Sequence, residues 1–187
     1  MNSLSQLAEK HGTDKLWHGY CPAYWDHFET LRDEPVALLE IGVASGASLR
    51  MWDEWFTHPM RELIGVEIVP ECSFDKTATA RVVTGDGTQI DNPLLDHNEF
   101  DIIIDDGSHT SEDILAGYYH WWPHLRSDGW YVIEDLAVQW RNDYGGGGKG
   151  SPATDYLKWL LGQLWQHDDN TITEFHAYNE IVFLRKA

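Results

Sequence analysis

Five short apolar segments alternate with amphipathic stretches along most of this chain, and two further strand-like segments follow near its end. Apolar residues on both faces of a segment are typical of parallel strands that are covered by helices on both sides. The last two segments, residues 171–178 and 180–185, lie too close together for a parallel crossover, which needs about a dozen residues or more. The pattern therefore predicts an α/β fold whose mostly parallel sheet ends in an antiparallel β-hairpin.

A single domain over residues 1–187 is expected, with residues 1–30 as an N-terminal cap segment. The run of four glycines within residues 137–152 predicts a flexible lid loop after the fifth strand, where ligands bind in such sheets. A slack surface connection is the alternative for that loop. Residues 10–25 lack a clean period and are predicted to be irregular. The predicted strands are 36–41, 63–69, 80–84, 100–104 and 130–133, and the predicted helices are 46–57, 111–124 and 156–166.

The chain is strongly acidic, with 13 Lys+Arg against 31 Asp+Glu and a formal net charge of −18. Such a charge opposes binding to nucleic acids and to anionic membranes, so neither partner is expected. We predict a soluble, cytoplasmic protein on three grounds. The two cysteines are isolated in the sequence, the N-terminal segment does not resemble a secretory signal, and no apolar run is long enough to span a membrane.

A glycine-rich turn, residues 40–46, follows the first predicted strand and leads into a helix, which suits a nucleotide at the sheet edge. Glu67 ends the second strand, where a carboxylate can accept hydrogen bonds from ribose hydroxyls; a solvated strand end is the alternative. Glu40 suits an amino group and Asp86 suits the adenine amine, so the acids favour S-adenosylmethionine over NAD, which carries a pyrophosphate. The predicted cofactor-binding residues are Glu40, Gly42, Ala44, Ser45, Gly46, Glu67, Asp86, Gly87 and Asp105.

Acids also crowd the ends of the fourth and fifth predicted strands, where the sequence reads DDGSH at residues 105–109 and Glu134-Asp135. Neighbouring strands lie about 4.8 Å apart, so these groups should share one edge of the sheet. So much negative charge in one place is unfavourable unless a cation binds there or some of the carboxyl groups stay protonated. Oxygen ligands suit Mg²⁺, with Mn²⁺ second. We predict that Asp106, Glu134 and Asp135 bind the metal and that Asp105 orients the cofactor; ion pairs with nearby arginines are the alternative.

His109 lies three residues after Asp106, on the turn into the next helix. A divalent ion lowers the pKa of a hydroxyl that coordinates it, and a neutral imidazole nearby can take the proton. His109 and Asp106 are therefore the predicted catalytic residues, with His109 as general base. The predicted reaction is in-line transfer of a methyl group from the sulfonium to a hydroxyl oxygen. A structural histidine is the alternative.

These motifs resemble those of class I S-adenosylmethionine-dependent methyltransferases. The closer resemblance is to the metal-dependent sugar O-methyltransferases of macrolide biosynthesis, the mycinamicin and demethylmacrocin type. The matching segments are GTDK at residues 12–15 with His18 and Tyr20, then LLEIGVASGASLRMW, DIIIDDGSH and GWYVIEDL. The resemblance implies a Rossmann-like, three-layer fold with a seven-stranded sheet, and Mg²⁺ on the three acids with a histidine base.

The resemblance also implies that the segment from Thr13 to Lys15 folds over the cofactor and the substrate. Ala44 departs from the family pattern, which usually has a second glycine there. The predicted substrate or lid residues are Thr13, Asp14, Lys15, His18, Tyr20, Trp140 and Tyr144.

Ten tryptophans are unusual in a chain of 187 residues. Trp17, Trp25 and Trp140 lie in predicted irregular segments and are candidates for stacking on a substrate, with core or dimer packing as the alternative. The four tryptophans assigned to packing are Trp52, Trp55, Trp159 and Trp165.

The sequence thus predicts an Mg²⁺-dependent O-methyltransferase that acts on a hydroxylated small molecule, such as a sugar or another polyol, in natural-product biosynthesis. Three alternatives stay open: a metal-independent N-methyltransferase, a non-catalytic cofactor-binding protein of the same fold, and an NAD-dependent oxidoreductase. Activity that survives a chelator would select the N-methyltransferase. The acid-rich turn and the terminal hairpin disfavour the oxidoreductase. Whether the protein forms a homo-oligomer is also left open.

Overall fold

The computed structural model describes residues 3–70, 72, 74–91, 95, 99–166 and 171–187. The chain divides into two compact units, residues 1–86 and residues 87–187. The predicted cap segment, residues 1–30, begins outside the described residues.

The first unit contains three parallel strands that follow a helical N-terminal segment. β1 pairs with β2, and β2 pairs with β3, so the carboxyl ends of the three strands lie at one edge. Its elements are helices α1 (Ser3–His11), α2 (Cys21–Phe28) and α3 (Ala47–Trp55), 3-10 helices at Asp14–Leu16 and Glu29–Leu31, and strands β1 (Ala37–Ile41), β2 (Glu62–Glu67) and β3 (Ala80–Thr84).

Aromatic side chains form the core of this unit where α2 packs on α3. Tyr24 and Trp52 lie edge to face, with ring centroids 5.1 Å apart, and Trp55 and Phe56 do so at 4.9 Å. All four side chains are buried. Aromatic pairs in this geometry contribute about 0.5–1.5 kcal/mol beyond the area that they bury. The predicted packing role of Trp52 and Trp55 is confirmed, while Trp25, a substrate candidate, packs edge to face on Trp55.

The prediction that residues 10–25 are irregular is wrong at both ends, because α1 extends to His11 and α2 begins at Cys21. Pro22 is compatible with the first turn of a helix, since the N–H that it lacks would have no partner there. Tyr24 and Phe28 are four residues apart and both pack near Trp52. This helical spacing extends past residue 25, so the segment taken alone did not reveal it.

The second unit contains two parallel strands and the terminal hairpin. β4 pairs with β5 in parallel, and β7 pairs antiparallel with both β5 and β6, which confirms the predicted hairpin. Its elements are strands β4 (Phe100–Asp105), β5 (Leu125–Ile133), β6 (Ile172–Ala177) and β7 (Val182–Lys186), helices α4 (Ser111–Trp121) and α5 (Pro152–Gln166), and 3-10 helices at Trp122–His124, Leu136–Trp140 and Asn142–Tyr144.

The fifth strand begins five residues before the predicted start. The sequence RSDG at 126–129 has the composition of a turn, but it forms an irregular part of β5. In this part of the strand the pairing with β4 shifts register between Phe100 and Ile102. Asp128 has φ +64°, and a Cβ on Gly129 would lie 2.9 Å from the Arg126 carbonyl oxygen. A glycine is therefore required at this bend.

The prediction for Trp159 and Trp165 was packing in the core or in a dimer; they are 47% and 73% exposed, so they lie outside the core, and packing in a dimer stays a prediction. Helix α5 buries Ala153, Leu157 and Leu160, a spacing of three to four residues that defines its inner face. The two tryptophans lie off that face.

The seven strands form one sheet in the order β3-β2-β1-β4-β5-β7-β6, mostly parallel with an antiparallel end. The predicted fold class is confirmed. No helix among the described residues is long and apolar enough to cross a membrane.

Candidate active site

The glycine-rich turn after β1 is built from residues with left-handed backbone. Gly42, Ala44 and Gly46 have φ values of +82°, +46° and +79°. A Cβ on Gly46 would lie 3.0 Å from atoms of the Phe74 side chain, so both space and conformation require glycine there. Ala44 adopts the left-handed conformation at a cost of about 1–2 kcal/mol. Ala44, which stands where the family usually has glycine, therefore keeps the backbone conformation that glycine favours. Both Ala44 and Ser45 are exposed.

Glu67 at the end of β2 holds this turn in place. The Ala44 N–H donates to Glu67 Oε2 at 2.6 Å, and the Val69 N–H donates to Oε1 at 2.9 Å. A carboxylate oxygen can accept more than one hydrogen bond, so these contacts leave capacity for a ribose hydroxyl. Its binding to a ribose stays a prediction, and the observed contacts give Glu67 a role in shaping the turn.

Asp86 and Gly87 follow β3 at the end of the first unit and the start of the second. Asp86 is half-buried, and the Gly87 carbonyl accepts a hydrogen bond from the Trp121 indole N–H at 2.6 Å. Their assignment to the cofactor stays a prediction.

Lys15 and Glu40 form an ion pair inside the first unit, which sequence reasoning did not foresee. Lys15 Nζ lies 3.3 Å from Glu40 Oε1, and both side chains are fully buried. Glu40 is on β1, and the 3-10 helix that begins at Asp14 carries Lys15. The Tyr20 N–H donates to the Lys15 carbonyl at 2.9 Å. Lys15 therefore belongs to the interior of the unit, and its contact with substrate or cofactor stays a prediction.

The other predicted substrate or lid residues of the first unit divide between interior and surface. Thr13 and Tyr20 are each 2% exposed, whereas Asp14 and His18 are exposed. The His18 ring stacks on the Tyr20 ring with centroids 5.2 Å apart. Buried Thr13 and Tyr20 thus anchor the segment from residue 13 to residue 20, which presents Asp14 and His18 at its surface.

Asp105, the last residue of β4, faces the interior of the second unit. The Tyr131 hydroxyl donates to Asp105 Oδ2 at 3.4 Å, and a Cβ on Gly117 of α4 would lie 3.1 Å from the same oxygen. Burial raises the pKa of Asp105 to about 7, although the hydrogen bond from the Gly107 N–H opposes this shift. The Asp105 carboxylate also raises the pKa of Tyr131, after the larger effect of burial. Orientation of the cofactor by Asp105 stays a prediction.

The raised pKa of Asp105 predicts a stability that falls as pH rises. Between its ordinary value of 3.8 and about 7, the folded protein holds a proton that the unfolded chain has lost. In metal-free protein this group should lower the free energy of unfolding by about 1.4 kcal/mol per pH unit across that window. Asp105→Asn should remove this component and stabilise the protein at pH 7. Urea unfolding at several pH values from 4 to 8 measures how the free energy of unfolding changes with pH. If this pH dependence were the same in Asp105→Asn as in the wild type, the prediction would be contradicted. Asp101→Asn, at the other end of β4, is the control.

Asp106, His109 and Asp135 converge in the second unit. Their ligand atoms all lie within 4.8 Å of one another, and each residue is half-buried. His109 Nε2 is 3.4 Å from Asp135 Oδ2. His109 and Asp135 have φ values of +59° and +56°, an uncommon conformation for such residues that is often found at functional sites. Sequence spacing predicted the convergence of Asp106, His109 and Asp135 at the ends of neighbouring strands.

Two of these residues fit a divalent cation. The carboxylates of Asp106 and Asp135 offer oxygen ligands to Mg²⁺ or Mn²⁺, and a ring nitrogen of His109 lies within 4.8 Å of both. Glu134, the third predicted ligand, is 2% exposed and lies outside this group. Its N–H donates to the Asp105 carbonyl at 3.0 Å, which joins the ends of β4 and β5. Metal binding by all three predicted acids stays a prediction.

The loop at residues 137–152 is folded against its own unit. Gln139 is fully buried, and its Nε2 donates to the His109 carbonyl at 2.5 Å. Trp140 is 49% exposed, and Arg141 lies over the Tyr144 ring at 5.1 Å from the centroid. Lid motion of this loop stays a prediction, as does substrate contact by Trp140 and Tyr144. Sequence reasoning missed Gln139, since a single polar residue between Val138 and Trp140 carries no distinguishing signal.

A family model described as "Methyltransferase domain" matches residues 39–136. The chain is 36% identical, over 98% of its length, to the 8-demethyl-8-(2-methoxy-alpha-L-rhamnosyl)-tetracenomycin-C 3'-O-methyltransferase of Streptomyces olivaceus, and covers 54% of that protein. It is 31% identical, also over 98%, to the mycinamicin VI 2''-O-methyltransferase of Micromonospora griseorubida, and covers 52% of it. The chain thus spans about half the length of these relatives.

Solved structures agree with these sequence matches. The MycE methyltransferase from the mycinamycin biosynthetic pathway, in complex with Mg and SAH, superposes with a TM-score of 0.86 at 31% identity. The match covers 100% of this chain and 55% of that one. MycE in complex with Mg, SAH and mycinamycin VI superposes with a TM-score of 0.87 at 30% identity, covering 100% and 54%.

Proposed function

Because the chain belongs to the methyltransferase-domain family, we propose that it transfers a methyl group from S-adenosylmethionine to a hydroxyl of a sugar, in an Mg²⁺-dependent reaction. The sugar would be part of a natural product. The observation that carries the proposal is the convergence of Asp106, His109 and Asp135 within 4.8 Å. Two further observations support the proposal: a relative of the chain is named as an O-methyltransferase of a rhamnosyl compound, and the solved structure of a relative contains Mg and SAH.

In this proposal the second unit supplies the groups that act on the acceptor hydroxyl. Asp106 and Asp135, together with Glu134, would hold the cation, which when bound lowers the pKa of a hydroxyl that coordinates it. The His109 side chain is 22% exposed, so its imidazole is open to an acceptor, and Nε2 accepts the hydroxyl proton. The oxygen then attacks the methyl carbon as the carbon–sulfur bond breaks, which leaves S-adenosylhomocysteine and the methyl ether.

The first unit supplies most of the residues of the proposed cofactor site. The left-handed turn at residues 42–46 brings backbone close to a ligand, and Glu67 fixes the turn through Ala44. Glu40, held by Lys15, would receive the ammonium group of the cofactor. Acids suit a cofactor that carries an ammonium and a sulfonium, and they disfavour a pyrophosphate.

The acceptor is proposed from the relatives. Two of them are named for methylation at the 3' position of a rhamnosyl tetracenomycin and the 2'' position of mycinamicin VI. O-methylation is the chemistry that these names share, and the first of them names a rhamnosyl sugar. Exposed Trp140 provides an aromatic surface on which a sugar can stack. A cytoplasmic location completes the proposal, supported by the lack of a disulfide among the described residues.

Ligand-induced stabilisation tests the cofactor. S-adenosylhomocysteine at 100 times its dissociation constant should raise the free energy of unfolding by about 2.7 kcal/mol, or Tm by roughly 5–10 °C, whereas NAD should not. Glu67→Gln should reduce the shift, because an amide is a poorer acceptor for the two N–H groups that hold the turn. Glu54→Gln, an exposed acid that pairs with Lys10 outside the proposed site, is the matched control. Stabilisation by NAD alone would overturn the methyltransferase proposal.

Turnover tests the acceptor and the metal. A panel of glycosylated and free hydroxylated acceptors, assayed with Mg²⁺ and with a chelator, should give methyl ethers only when the metal is present. Full activity in the chelator would contradict the metal-dependent reaction.

A further inference from the structure

His109 depends on its neighbours for its backbone conformation. Its φ of +59° lies in the left-handed region, which costs a residue other than glycine about 1–2 kcal/mol. The surrounding structure must therefore supply contacts that favour this conformation. Thr110, the next residue, caps α4 by accepting a hydrogen bond from the Asp113 N–H at 3.2 Å, which fixes the chain on the carboxyl side of His109.

Gln139 holds the peptide group of His109 itself. Its Nε2 donates to the His109 carbonyl at 2.5 Å, and its Oε1 accepts from the Ser151 hydroxyl at 2.6 Å. The side chain is fully buried, and both ends of the amide are satisfied. Rotation of the amide by 180° would put Oε1 against the His109 carbonyl oxygen, so this arrangement has only one favourable orientation.

Ser151 is in turn fixed by the first turn of α5. Its Oγ also accepts from the Thr154 N–H at 3.3 Å, and its carbonyl accepts from the Thr154 hydroxyl at 2.8 Å and the Asp155 N–H at 3.0 Å. The side chain is 3% exposed. A continuous set of buried hydrogen bonds therefore joins the start of α5, through Ser151 and Gln139, to His109.

The glycines of the loop permit this close packing. A Cβ on Gly146 would lie 2.4 Å from the Gln139 carbonyl oxygen and 2.7 Å from that of Arg141. The Gly146 N–H donates to the Arg141 carbonyl at 2.9 Å, and the Gly148 N–H donates to the Trp140 carbonyl at 3.0 Å. The glycine run thus folds back over the residue that holds His109.

We propose that Gln139 is a positioning residue for His109, oriented by Ser151, so that the folded state of the 137–152 loop and the position of the base are coupled. The expected effect of Gln139 on turnover rests on the proposed function, whereas its expected effect on the order of the backbone around His109 does not. A displaced imidazole would no longer meet the acceptor hydroxyl, and small displacements of a general base are costly. Binding of the cofactor should not depend on Gln139, because neither Gln139 nor His109 is a predicted cofactor-binding residue.

The test uses Gln139→Glu, which keeps the size of the side chain but replaces the donor to the His109 carbonyl with an acceptor. We expect kcat to fall about 10- to 100-fold, the range for residues that orient a catalytic group. The dissociation constant of S-adenosylhomocysteine, measured by calorimetry, should not change. Amide hydrogen exchange of residues 107–111 should accelerate in the protein without ligands. Gln166→Glu, the same change at an exposed position of α5, should alter none of these.

Ser151→Ala provides a second variant if Gln139→Glu does not fold. This substitution leaves the Gln139 amide N–H in place but removes the hydroxyl that orients the amide. The changes in kcat and in hydrogen exchange at residues 107–111 should therefore have the same direction as in Gln139→Glu but be smaller. Wild-type kcat and exchange at 107–111 in the folded variants would overturn the proposal. An equal loss of S-adenosylhomocysteine affinity would show a general structural role and would also overturn it. If the wild-type protein shows no turnover, the proposed function fails, while the exchange measurement still tests the coupling.

Discussion

Replacing His109 with alanine should lower turnover by about 10²- to 10⁴-fold, the usual contribution of a general base. His109 belongs to the group formed with Asp106 and Asp135, its Nε2 lies 3.4 Å from Asp135 Oδ2, and no other histidine belongs to that group among the described residues of this unit. Asp106→Asn should have an effect of similar size, because an amide is a weaker ligand for a cation than a carboxylate. S-adenosylhomocysteine should bind both variants nearly as well as the wild type, since neither His109 nor Asp106 is a predicted cofactor-binding residue.

Initial rates with a hydroxylated sugar acceptor, together with calorimetric binding of S-adenosylhomocysteine, measure these effects. His176→Ala is the matched control: this histidine of β6 pairs with Glu174 at 2.7 Å and lies outside the group. Asp143→Asn, which breaks an exposed pair with Arg141, serves the same purpose for the carboxylate. If His109→Ala and Asp106→Asn both keep wild-type kcat, the base and metal assignments are wrong.

Lys15→Met should be the most destabilising of these substitutions, by about 3–5 kcal/mol, because it leaves the Glu40 carboxylate in the interior without its cation. The geometry differs sharply from that of Lys10 and Glu54, whose side chains are 58% and 41% exposed. Lys10→Met should therefore cost about 0–1 kcal/mol. Urea unfolding at pH 7 compares the two variants directly, and equal effects would contradict the buried ion pair.

A double variant separates the charge from the packing. Lys15→Met with Glu40→Met replaces both charges with apolar side chains and should recover much of the lost stability, as replacement of buried ion pairs often does. The recovered protein should bind S-adenosylhomocysteine poorly, because Glu40 is the proposed partner of its ammonium group. A double variant as unstable as Lys15→Met would show that the packing of Lys15, rather than its charge, is what matters.

The order of strands and helices could be predicted because its signals are local. β3 at Ala80–Thr84 was predicted with its observed bounds, and the hairpin followed from the short connection between its strands. The spacing of DDGSH and Glu134-Asp135 on successive strands placed Asp106, His109 and Asp135 at one sheet edge, and the structure brings their ligand atoms within 4.8 Å. The pairing of adjacent parallel strands is enough to bring such residues together.

Two details of the helices differ from what the sequence alone indicated. α2 was missed because Tyr24 and Phe28 acquire their apolar environment from Trp52 on another helix, which is distant in sequence. Trp159 and Trp165 were assigned by residue type to packing in the core or in a dimer, and they lie outside the inner face of α5, which is set by Leu157 and Leu160.

The sequence by itself determined the fold class, the glycine-rich turn and the set of acids and histidine at the strand ends, because period, turn residues and spacing act over short stretches of chain. Only the tertiary structure decided which polar groups meet in the interior: Lys15 with Glu40, Tyr131 with Asp105, and Gln139 with His109. Burial removes water from these pairs, so their partners and the pKa of Asp105 depend on contacts between residues far apart in the chain.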